Sequence, residues 1–146
     1  MRKKRVLLIL AAAIVIIALI LYPTTQCRVT GADIAASPPK AFVVSVLQGY
    51  AVGFLFNVTN GSNCEINAEN VRVVLRGVTY SDGRQVAQES EGTELVAGKL
   101  NPGQTSSFSY TFDDYFVYRP AKLLLSIEMT FTESGPLLVY DGEVTV

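Results

Sequence analysis

From residue 41 to the end of the chain, apolar and polar positions alternate with a period of two, the spacing of strands that bury one face. A Val-rich stretch over 41–48 predicts a first strand, and Gly49 begins a turn. Val52, Phe54, Phe56 and Val58 share one face of a second strand over 50–59. Asn60-Gly61-Ser62-Asn63 has the composition of a turn, because Asn and Gly tolerate positive φ. A third strand is expected over 71–80, and Ser81-Asp82-Gly83-Arg84 reads as a tight hairpin turn into a returning strand over 85–90. Polar residues 89–93 read as a loop before Leu95-Val96-Ala97-Gly98, and Leu100-Asn101-Pro102-Gly103 reads as another turn. Over 104–112, Phe108, Tyr110 and Phe112 face one way while Ser107, Ser109 and Thr111 face the other. Segments 122–132 and 137–146 predict a closing hairpin around Glu133-Ser134-Gly135-Pro136.

Seven or eight short strands, with turn signals every ~8–15 residues, predict an all-β antiparallel β-sandwich of immunoglobulin or fibronectin III type. No amphipathic helical pattern interrupts 41–146, and no internal repeat is visible.

The first 22 residues break the alternation. Arg2, Lys3, Lys4 and Arg5 precede an uncharged apolar run from Val6 to Tyr22. At about 1.5 Å per residue that run spans roughly 25 Å, near the lower limit for crossing the hydrocarbon core. Cations on the cytoplasmic side set the orientation, so the chain beyond Pro23 is expected outside. The only A-x-A pattern, Ala11 to Ala13, lies inside the apolar run, where cleavage is implausible. An uncleaved single-pass anchor over 1–23 is therefore expected, with a cleaved signal or a lipid-modified Cys27 as alternatives. A polar, Pro-containing spacer over 24–40 comes next, then the sandwich over 41–146. The predicted location is the cell membrane, N-terminus cytoplasmic and the C-terminal domain extracytoplasmic.

Charge becomes informative once the anchor is set apart. Eight of the twelve Lys and Arg lie beyond Arg5, with all thirteen Asp and Glu, so that part carries five net negative charges. Nucleic acid selects basic faces, and anionic lipid surfaces do the same, so neither is an expected ligand of the exported part. Apolar residues make up 49% of the chain, too many for a disordered body. Cys27 and Cys64 are the two cysteines, and an exported compartment favours their pairing; two free thiols remain the alternative.

Candidate chemistry is sparse. Without histidine, Ser-His-Asp, Cys-His and HExxH constellations are impossible within the chain. No Gly-rich phosphate loop or CxxC pair occurs, and no cofactor, metal or small-molecule substrate is expected. Asp113-Asp114 and the trio Glu89, Glu91 and Glu94 are the acidic groupings, read as solvated loop charges. Tyr115, Phe116, Tyr118 and Arg119 form the most unusual local cluster. It either plugs one end of the core, with a tyrosine bonding the backbone, or presents an aromatic patch to a partner. Asn57-Val58-Thr59 and Asn60-Gly61-Ser62 both match the N-glycosylation pattern, with Asn60 in the turn the better acceptor.

Several of these stretches resemble a known family. The run from Phe54 to Asn60, then Val71 to Leu75, Gly77-Val78-Thr79-Tyr80 and Asp82-Gly83-Arg84-Gln85-Val86-Ala87 resemble the late-embryogenesis-abundant type 2 domain, also called the water-stress and hypersensitive-response domain. The closing segment Ile127-Glu128-Met129-Thr130-Phe131, Gly135-Pro136-Leu137 and 141–146 is similar to that family's last hairpin. Its Asn-Pro-Asn turn is replaced here by Asn60-Gly61-Ser62-Asn63. Asn70-Val71-Arg72-Val73 and the Leu100 to Phe108 pattern are similar to the exported FxLYD-like domains. Both resemblances imply a fibronectin-like sandwich and a non-enzymatic role, and neither implies a ligand. The function expected is a membrane-anchored module for protein or envelope contact or for stress protection, using the loop ends 60–65 and 115–119. The alternative is a subunit or stator component of an archaeal pilus or archaellum-like filament. Its processing site would fall at Arg5-Val6, where the usual Gly or Ala before the cut is absent.

Overall fold

The alternating segments form eight strands in two antiparallel sheets. A computed structural model describes residues 27–146, together with Ala13, Ile14, Ile16 and Ile17, which are helical. Otherwise the expected anchor over 1–23 lies outside the described residues. Among the described residues no helix is long and apolar enough to cross a membrane.

One sheet is built on β3 (Gly49–Asn60). Along one edge of β3 lie β1 (Ile34–Ala36) and β2 (Lys40–Val46); along the other lies β6 (Thr105–Thr111). The second sheet runs β5 (Gln85–Leu100), β4 (Ile66–Tyr80), β7 (Pro120–Phe131) and β8 (Gly135–Thr145). Both contribute to a single core. Val52, Phe54, Phe56 and Val58 of β3 face Val71, Val73 and Leu75 of β4 and the fully buried lane Leu123, Leu125, Ile127, Met129 and Phe131 of β7. Each such burial contributes about 1.5–3 kcal/mol, so these lanes hold the sheets together. Phe54 anchors the aromatic part, stacked 5.5 Å from Tyr110 and edge-on to Phe112 at 6.1 Å.

Three departures from the strand reading have physical causes. The spacer over 24–40 contributes β1, because Val29 and Ile34 are apolar enough to be drawn into the core. Strand β4 begins at Ile66 rather than near 71. A register shift between Ala68 and Asn70 lets Ile66 and Ala68 face inward alongside Val71, and a second shift lies between Leu75 and Gly77. The polar stretch 89–93 is not a loop. It is the middle of the edge strand β5, paired along its length to β4, so Glu89, Glu91 and Glu94 stand on a strand whose backbone groups are satisfied on one side.

Candidate functional site

Strand directions gather the residues singled out in the sequence at two opposite ends of the sandwich, separated by the twelve residues of β3, or about 40 Å. At one end a disulfide joins Cys27 to Cys64, with their Cα atoms 5.8 Å apart. The chain just before β1 is held by a one-turn 3-10 helix (Gly31–Asp33), in which the Asp33 carboxylate accepts from the Thr30 N–H and Oγ1, both at 2.8 Å. These bonds, the backbone N–H first, keep the Asp33 carboxyl below its ordinary range. The Asp33 carbonyl accepts in turn from Gly61 N–H at 2.7 Å.

Asn60 is the hub of this end. Its side chain is fully buried; Nδ2 donates to the carbonyls of Cys64 (2.8 Å) and Leu100 (3.0 Å), and Oδ1 accepts from Ser62 N–H (2.9 Å) and Oγ (2.6 Å). Both amide protons are therefore committed, and no room is left for a sugar. Asn60 is thus corrected from the better glycan acceptor to a structural residue. Of the two pattern matches, the exposed side chain is that of Asn57, whose Oδ1 accepts from Ser107 Oγ at 2.6 Å.

At the far end the cluster 115–119 divides by role. Phe116 is core: it packs edge-on to Phe112 at 5.8 Å, and its backbone N–H and carbonyl bond those of Tyr50 at 2.9 and 2.8 Å. Gly49 permits that approach, having φ of +144° and no Cβ to overlap the Phe116 carbonyl. Tyr115 and Tyr118 are half exposed, Val117 more so, and Leu47 at the β2–β3 turn is fully exposed. Tyr118 meets Tyr80 edge-on at 5.9 Å, and the Arg84 guanidinium lies 4.5 Å from the Tyr118 ring centre. Asp82 Oδ2 holds Arg84 Nε at 2.6 Å, which raises the Arg84 pKa. Arg119 is exposed, and its carbonyl accepts from Ser81. Among the described residues, the tyrosine hydroxyl that bonds the backbone is that of Tyr140, to the Glu143 carbonyl at 2.8 Å, rather than one in 115–119. Tyr115 with residues 45–48 lines an open depression of about 700 Å³.

A third grouping, which the alternation pattern alone did not single out, lies on the flank where β5 passes β6. Ser90, Gly92 and Glu94 of β5 stand opposite Leu75, Val73 and Val71 of β4, three fully buried inward-facing residues. The inner lane of β5 is therefore polar where that of β4 is apolar. Tyr110 of β6 fills the gap, its residue only 5% exposed and its hydroxyl against Gly92, where any Cβ would overlap it. Burial first, and then the charges of Asp113 and Glu94, push the Tyr110 phenol above its ordinary pKa. The period-two lane Ser90-Gly92-Glu94 was the available signal. It was masked because the same residues also have the composition of a loop.

Among the described residues no three His, Cys, Asp or Glu come together as a group that could hold a metal ion. No protein-family model matches the chain, and no curated protein matches it. Solved structures align with most of the chain. Northeast Structural Genomics Consortium target SoR45 aligns with a TM-score of 0.50 at 11% identity, covering 80% of this chain and 89% of that one. A protein from Archaeoglobus fulgidus aligns with a TM-score of 0.47 at 14% identity, over 77% and 98% of the two chains. At such identity the first likeness concerns the fold alone.

Proposed function

We propose that this chain is a non-enzymatic, membrane-anchored extracytoplasmic module, a sandwich of immunoglobulin or fibronectin III type. Its work is envelope contact or stress protection, as the resemblance to late-embryogenesis-abundant type 2 domains implies. The observation that carries this reading is the Cys27–Cys64 disulfide. Disulfides persist in oxidising compartments, which supports a domain outside the cytoplasm. Cys27 also lies five residues beyond Tyr22, the last residue of the apolar run. Five residues reach at most about 17 Å, so in this reading the disulfide end is tied close to the membrane and the Tyr115–Tyr118 end stands roughly 40 Å farther out.

The test is thiol labelling of intact cells with a membrane-impermeant maleimide. Two thiols should react after treatment with an impermeant reductant and none before it. Labelling without reductant, or only after lysis, would sink the assignment. N-terminal sequencing of the mature protein separates the forms: Met1 supports the anchor, whereas a start near Val6 supports the filament reading.

A further inference from the structure

We propose that the flank between β5 and β6 binds a primary alkylammonium group, with Glu94 and Asp113 supplying the charge and the Tyr110 hydroxyl oxygen a hydrogen bond. Three independent features converge there. The first is the broken pattern: a strand lane paired to Val71, Val73 and Leu75 should be apolar, yet it reads Ser90, Gly92, Glu94. Local violations of patterning at one spot are a mark of function.

The second is Tyr110 itself. Its ring is packed against Phe54 and Phe112, but its hydroxyl has no protein hydrogen-bond partner among the described residues and opens into the hollows on this flank. Phenylalanine would fill the same core without carrying that group to the flank. Gly92 is what lets it pass. The third is uncompensated charge. None of the six ion pairs among the described residues involves Glu94, Asp113 or Asp114. The nearby Glu91 is already bound to Arg72 at 2.6 Å.

Donor count selects the ligand. A hollow of about 300 Å³ is lined by Thr93, Glu94, Tyr110, Thr111 and Asp113. A smaller one of about 70 Å³ shares Tyr110 and Asp113 with it and reaches Phe112 and Phe116. Glu94, Asp113 and the Tyr110 hydroxyl all line the larger hollow, which seats the ammonium head, while Glu94 does not reach the smaller one. An ammonium presents three donors, matched by two carboxylates and the phenol oxygen, and its stem suits an aromatic wall. A guanidinium spreads five donors in one plane, more than these three groups match, and calcium asks for six to eight oxygen ligands. The same ammonium chemistry arises from a free amine or from a lysine side chain of a protein partner.

The test is NMR of the full chain in neutral detergent micelles, with tyrosine labelled at Cζ and the Tyr110 signal assigned by its loss in Tyr110→Phe. Pentylammonium should shift that signal saturably, with Kd on the order of 1 mM, while pentanol should not. The exposed pair Glu94→Gln/Asp113→Asn keeps side-chain shape and should weaken binding at least about tenfold with an unchanged circular dichroism spectrum. A short peptide with one central lysine distinguishes the sources. Binding at least about tenfold tighter than pentylammonium identifies a protein partner, and equal or weaker binding identifies a free amine. No saturable shift, an equal response to pentanol, undiminished binding by the double variant, or stronger binding of calcium would each overturn the proposal.

Discussion

Replacing Asn60 by alanine tests the most consequential reassignment in the structure. The substitution deletes four hydrogen bonds at a fully buried position: two donated to the Cys64 and Leu100 carbonyls and two accepted from Ser62. Cys64 O keeps a second donor in Ser62 Oγ at 3.0 Å, so the groups left without their side-chain partner are Leu100 O and Ser62 N–H. Each orphaned buried group costs about 1–3 kcal/mol, and the vacated volume adds to this, giving roughly 3–5 kcal/mol. Against a typical domain stability of about 5–15 kcal/mol this is a large fraction, equivalent to a Tm lowered by roughly 10–20 °C. Asn57→Ala is the matched control. That side chain is exposed and loses only its bond from Ser107 Oγ, which water replaces, so its cost should stay within about 0.5 kcal/mol. Urea unfolding under non-reducing conditions, followed by circular dichroism, measures both, with m unchanged. An Asn60→Ala variant within about 1 kcal/mol of wild type would refute the reasoning, since the buried carbonyls would then have found other donors. In a glycosylating host, intact mass should show a glycan at Asn57 or none, and never at Asn60.

Three further outcomes rest on particular contacts. Gly92→Ala places a Cβ onto the Tyr110 hydroxyl and should destabilise by about 1–3 kcal/mol, with at least half recovered when combined with Tyr110→Phe; thermal melts of the three variants check it. Phe116→Ser should abolish cooperative unfolding or lower Tm by more than about 10 °C, whereas the pair Tyr115→Ser/Tyr118→Ser should melt within a few degrees of wild type. Glu133 accepts from Asn67 N–H at 2.8 Å and from Asn67 Nδ2 at 2.6 Å. Burial pushes its pKa up, but the Asn67 bonds and one from its own backbone N–H together outweigh this and leave it below the ordinary 4.5. The carboxyl is thus a stronger acid folded than unfolded, so its contribution is complete above about pH 4.5 and is lost as pH falls through the lower folded value. The stability gap between wild type and Glu133→Gln should therefore narrow on acidification, as read by urea midpoints across that range.

Much of the architecture was legible because period-two alternation is a one-dimensional record of which face is buried. Val52, Phe54, Phe56 and Val58 announced β3, and Asp82-Gly83 announced the β4–β5 hairpin, for which local chemistry suffices. Strand β5 was not legible through 89–93. Its backbone is satisfied by pairing to β4 while its side chains carry edge-strand polarity, and composition alone cannot separate that from a loop. Tyr115, Phe116 and Tyr118 were a single cluster in the chain. The Tyr50 pairing turns Phe116 inward and its neighbours outward.

Composition and patterning therefore dictated a β-rich chain with its turns and its inward faces, because those depend on each residue's own solubility and backbone preference. Contact across the fold decided the rest. It brought Cys27 to Cys64 over a separation of 37 residues, buried the Asn60 amide among carbonyls from two turns, and set the Tyr110 hydroxyl against Gly92 on the β5 flank. Those outcomes depend on register and on which sheet edges meet, and neither is encoded in any short stretch of chain.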